Sequence, residues 1–151
     1  MAGSLRLIAL DEEDLEIISA NLQDAVIRIG DMVYLPRSKR FALVASRFDW
    51  VCAETGSKER CQTGLHFERV LKVARSGFDQ GAAGTPLNLL SIVFRPTDPP
   101  AGQVVLTFSG GAALRLDVEC LEVQMRDLGP RWKAKAQPGH PLDDVPGGAI
   151  R

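Results

Sequence analysis

Apolar positions in this chain alternate with polar ones more often than they recur at helical spacing, and the alternation restarts in short runs divided by polar, Gly- or Pro-bearing turns. Leu5 to Leu10 is the first such run and predicts a strand. Asp11 follows at an N-cap position, with Glu12, Glu13 and Asp14 placed to complement the positive end of a helix dipole. Leu15, Ile18 and Leu22 then recur at i, i+3 and i+7, and Ile17 widens the stripe, so a helix over about 12–23 should pack one face on a sheet.

From Ala25 to Trp50 the pattern reads as two apolar strands around the polar turn Pro36-Arg37-Ser38-Lys39-Arg40. The apolar phase slips by one at Gly30-Asp31, which predicts a bulge. Phe41, Leu43 and Ala45 share one face of the second strand, while Val44, Phe48, Trp50 and Cys52 share the other, which suits a central or strongly bent strand. Thr63 to Arg75 reads as one long strand with Leu65, Phe67, Leu71 and Val73 on one face and His66, Glu68, Val70 and Lys72 opposite. A Gly- and Ala-rich loop over 76–86 precedes another strand at Leu87 to Phe94. Gly110-Gly111 sits between two alternating runs and predicts a hairpin, because paired glycines adopt the positive φ angles of tight turns. Over 119–128 the pattern fits a strand resumed after a bulge at Glu119-Cys120, with a helix ended by Gly129-Pro130 as the alternative.

These elements predict an α+β fold: a strongly bent antiparallel sheet or partly open barrel of about seven strands, with one helix of the N-terminal region packed on it. A barrel of the pleckstrin-homology type is the second reading, favoured if 119–128 is helical. Residues 1–132 should form a single domain, and 133–151, rich in Pro and Gly, an irregular and partly disordered tail.

Composition narrows the function classes. The 151 residues are 45% hydrophobic and 25% charged with a net charge of -1, so no overall field favours nucleic acid or an anionic membrane. Three widely spaced cysteines and an acidic N-terminal region without an export signal point to a reducing, cytoplasmic setting. No apolar run approaches the length of a transmembrane helix, so no membrane partner is expected.

Phosphate-loop, CxxC, HExxH and GxSxG motifs are absent, and the glycines lack dinucleotide-fingerprint spacing. No catalytic residue, metal or cofactor is therefore expected. His66 and Glu68, two apart on a strand, point to one face, where a carboxylate can orient an imidazole for proton transfer. A zinc site from Cys52, Cys61 and His66 matches no standard ligand spacing. Arg37, Lys39 and Arg40 cluster at the hairpin tip in a basic patch that Arg47, Lys58 and Arg60 can join in space and that suits phosphate. If the strands through Trp50 and His66 are neighbours, then Arg47, Asp49, Trp50, His66 and Glu68 would gather a cation, two carboxylates, an imidazole and an indole, a mixture suited to a small polar ligand or a peptide edge.

The segments LIALDEEDLEIISANLQDA, LPRSKRFALVASRFDW, LHFERVL, LTFSGGAALRLDVECLEV and RDLGPRW, spanning Leu5 to Trp132, together resemble an uncharacterised proteobacterial family of small proteins of unknown function. The resemblance implies a free-standing cytoplasmic protein of bacterial origin and carries no activity or site residue. The expected function is a non-enzymatic ligand- or protein-binding module with an unidentified protein or small-molecule partner and a homo-oligomer as one form. The alternatives are a small enzyme using His66 with Glu68 and a nucleic-acid binder acting through Arg37 to Arg40.

Overall fold

The computed structural model describes residues 5–54, 56, 58–78 and 82–134, without the side chains of Val51, Cys52 and Pro130. The expected tail lies, beyond Ala134, outside the described residues. Among the described residues ten strands form one antiparallel sheet: β1 (Arg6–Ala9), β2 (Val26–Arg28), β3 (Met32–Leu35), β4 (Arg40–Phe48), β5 (Glu59–Phe67), β6 (Val70–Ser76), β7 (Pro86–Pro96), β8 (Gly102–Phe108), β9 (Ala113–Val118) and β10 (Val123–Lys133). Their order is β1-β10-β5-β4-β2-β7-β8-β9-β6, with β3 also on β4, so the sheet is open and larger than the seven strands the pattern predicts. Helices α1 (Glu12–Asn21) and α2 (Trp50–Glu54) complete the α+β fold.

Asp11 caps α1 as its position predicts, its side chain accepting from the Asp14 N–H at 2.8 Å. Leu15, Ile18 and Leu22 are buried, but Ile17 points to solvent, so the stripe is narrower than expected. One core collects these side chains with Phe41, Leu43, Leu65 and Phe67 from one half of the sheet and Leu89, Ile92, Leu106 and Leu116 from the other.

Two expectations change for backbone reasons. The slip at Gly30-Asp31 is a 3-10 turn over Ile29–Asp31 rather than a bulge, and it hands the chain from β2, which pairs with β7, to β3, which pairs only with β4. The long strand over 63–75 is two strands, because Arg69 adopts a left-handed conformation (φ 60) and turns a corner. At the corner the facing of two residues is exchanged, Val70 being fully buried and Leu71 exposed, and after a register shift Val73 packs on the core as the alternation predicts.

The segment after Val118 turns beside that corner and resumes as β10, a strand and not a helix, which removes the support for the pleckstrin-homology reading. Backbone bonds from the Glu68 N–H to the Glu122 carbonyl and from the Glu119 N–H to the Arg69 carbonyl tie the two corners together. Gly110 and Gly111 form the β8–β9 connection with φ of 79 and 86, within a three-residue loop closed by the Phe108 N–H bonding to the Ala112 carbonyl.

Candidate functional site

Strand β5 is the axis of the site, because it lies between β4 and β10 and its side chains alternate between the core and the outside. Cys61, Thr63, Leu65 and Phe67 point inward and are all buried. Gln62, Gly64 and His66 point outward.

On the inward side a charged cluster fills the end of the core. Arg47, opposite Cys61 in the β4–β5 register, donates from Nε and Nη2 to the two Asp127 carboxylate oxygens at 2.9 and 2.7 Å. Such a two-pronged contact fixes geometry as well as charge. The same carboxylate accepts from the Thr63 hydroxyl at 2.8 Å and the Leu5 N–H at 2.9 Å. Arg131 extends the cluster, pairing with Asp49 and donating to Glu59 Oε1 at 2.8 Å. The cluster therefore ties the start of β1 to β10, β5 and β4.

Burial opposes the charged Asp127 carboxylate, but the bonds from Arg47, Leu5 and Thr63 outweigh it and hold its pKa at about 2, below the ordinary 3.8. Burial also pushes the Cys61 thiol up, with Arg47 opposing and Asp127 adding to the shift, which keeps the thiol in its protonated form. Arg131 is lowered by burial and by the neighbouring Arg47. Every acceptor of Asp127 is met from within the protein, so this cluster is built as a clamp.

On the outward side the strand registers align one row across five strands: Val33, Ala42, His66, Gln124 and Ile8. A second row carries Val44, Gly64, Arg126 and Arg6. Leu128 is laid over Gly64, where an added Cβ would come within 3.3 Å of its side chain. Ile8, Val33, Leu35 and Leu128 remain 54%, 48%, 42% and 45% exposed. At one margin of this face His66 Nδ1 lies 2.5 Å from Glu68 Oε2, which also accepts from Arg40 Nε at 2.8 Å.

The expected five-residue site is thus divided. β4 and β5 are neighbours as the reading required, but Arg47 and Asp49 belong to the inward clamp, whereas His66 and Glu68 face out. The two groups are also about 17 Å apart along β5, five residues at the strand rise. Trp50 sits at the start of α2, edge-on to Phe48 with ring centres 4.7 Å apart, and donates its N–H to the Gln23 carbonyl at 3.3 Å. It joins neither group.

At the hairpin tip Arg37 lies in the 3-10 turn over Pro36–Ser38, Lys39 pairs with Glu119 at 3.2 Å, and Arg40 is committed to Glu68. Two of the three cations are therefore already answered by carboxylates. Among the described residues no group of three or more His, Cys, Asp or Glu side chains could hold a metal ion. The Cys52 side chain of the zinc alternative lies outside the described residues.

Asp127, Thr63 and Arg131 were not singled out by the sequence reading. The signal was there in phase: Arg47 continues the buried series Phe41, Leu43, Ala45, and Asp127 continues Leu121, Val123, Met125. Opposite charges in phase with core positions on two strands mark a buried pair.

A family model described as a protein of unknown function (DUF2948) matches residues 5–140, and the chain belongs to that family. No curated protein and no solved structure matches it. Among the described residues no helix is long and apolar enough to cross a membrane.

Proposed function

We propose that this member of the family is a non-enzymatic protein-binding module whose partner docks on the outward face of β3, β4, β5, β10 and β1. The observation that carries the reading is the set of large apolar side chains left exposed on this face, Ile8, Val33, Leu35 and Leu128, around the row Ala42, His66, Gln124, because exposed apolar side chains set among polar ones mark interaction sites. On the other half of the sheet the outward row Val93-Val105-Arg115-Ala74 is interrupted by Arg115 and bordered by the wholly polar row Arg95-Gln103-Asp117-Lys72, and Arg115 and Asp117 pair at 3.4 Å.

The test is site-specific photo-crosslinking in cells from position 33, with position 105 on the other face as control. The expected result is one dominant adduct from position 33 that disappears in an Ile8→Glu background. Equal adducts from both positions, or adducts indifferent to Ile8→Glu, contradict the reading. A homodimer on the same face would appear as a self-adduct and replace the foreign partner.

The second reading, a small enzyme, rests on the 2.5 Å contact between His66 Nδ1 and Glu68 Oε2, which leaves Nε2 as the free nitrogen for proton transfer. A wild-type activity lost selectively in a folded His66→Ala variant would favour it over the binding module.

A further inference from the structure

We infer that Arg6 and Arg126 form a binding site for the phosphate of a small phosphomonoester. The two residues are direct cross-strand partners in the β1–β10 pairing, so their side chains leave the same face of the sheet side by side. Like charges directly opposite one another weaken a strand pair. Among the described residues neither guanidinium has a carboxylate within ion-pair distance. Asp127 is next in the chain, but its oxygens are taken by Arg47, Thr63 and the Leu5 N–H.

The pair borders a cleft of 420 Å³ lined by Leu5, Arg6, Arg126, Asp127 and Leu128. That volume lies at the small end of the range for small-molecule sites. Two guanidinium groups are a double positive charge in a planar fork geometry, which matches an oxyanion of charge near -2 better than a carboxylate of charge -1. A phosphomonoester carries about -1.5 to -2 at neutral pH. Leu5 and Leu128 supply apolar walls for the body of the ligand, and inorganic phosphate lacks a body to place against them.

This site lies on the same outward face as the proposed docking surface and shares Leu128 with it, but it rests on a separate observation, the edge pair and its cleft. The test titrates the full chain with phenyl phosphate, inorganic phosphate and benzoate, following affinity by calorimetry and backbone amides by NMR. Phenyl phosphate should bind most tightly, inorganic phosphate more weakly and benzoate most weakly, with amide shifts centred on residues 5, 6 and 126–128. Arg6→Gln and Arg126→Gln should each weaken phenyl phosphate at least tenfold without lowering Tm. Arg126→Glu should abolish binding and raise Tm, since it places opposite charges across the strand pair. Val33→Glu should leave binding unchanged. Benzoate binding as tightly as phenyl phosphate, glutamine variants that keep wild-type affinity, or a fall in their Tm would each overturn the assignment. So would the absence of shifts at millimolar phenyl phosphate.

Discussion

Two charged clusters lie on opposite faces of β5, each pairing an arginine with a carboxylate, and their surroundings set them apart. The inward one joins Arg47 to Asp127, with both side chains almost wholly buried and every contact made within the protein. The outward one joins Arg40, Glu68 and His66, where the arginine is half exposed and the imidazole about a third. A buried pair resists the loss of either member because the survivor is left charged in a medium that cannot solvate it, whereas a surface pair loses little that water does not restore. Alternation along a strand therefore decides which carboxylate is locked into the core and which stays at the surface.

The largest effect expected from this difference is that of removing one inward partner. Arg47→Ala or Asp127→Ala should cost about 3–5 kcal/mol, read from urea denaturation midpoints at unchanged slope. A cost under about 1 kcal/mol would show that the inward cluster is solvated after all and erase the contrast.

The next effect is one of pH. Asp127 has its pKa lowered from 3.8 to about 2, so its contribution is complete above 3.8 and is lost as pH falls through that interval. The loss should be about 2 kcal/mol, at about 1.36 kcal/mol per unit. Denaturation between pH 5 and pH 2 checks it: the wild type should lose this increment, and Asp127→Asn, already destabilised, should not.

The smallest effect belongs to the outward pair. Arg40→Ala should change stability by about 0–1 kcal/mol and fade at high salt. A salt-insensitive loss several times larger would place Arg40 with the clamp.

Much of the fold was legible from local pattern. The cap at Asp11, the buried stripe Leu15, Ile18, Leu22 and the turn at Gly110-Gly111 each follow from a short stretch of sequence, and each forms. What local pattern could not supply was the corner at Arg69. A single left-handed residue of a type that rarely adopts that conformation swaps the facing of Val70 and Leu71 before a register shift restores the phase, and the bond from the Glu119 N–H to the Arg69 carbonyl comes from a distant part of the chain.

The site divides in the same way. His66 and Glu68 were legible as a pair because i and i+2 share a strand face whatever the sheet does. Arg47 was assigned to their face because adjacency of β4 and β5 was inferred without the register, and the register sets Arg47 opposite Cys61 and His66 opposite Ala42. The partnership of Arg6 with Arg126 depends on a pairing between opposite ends of the chain, which no window of sequence contains.

The division of labour across β5 is tested most directly by two substitutions that change a carboxylate to an amide of the same shape, Asp127→Asn and Glu68→Gln, compared by urea denaturation at neutral pH. Asp127→Asn should lose several times more stability than Glu68→Gln, and the latter should stay within about 1 kcal/mol of the wild type. Equal losses, or a larger loss for Glu68→Gln, would contradict the assignment of the inward cluster to holding the fold.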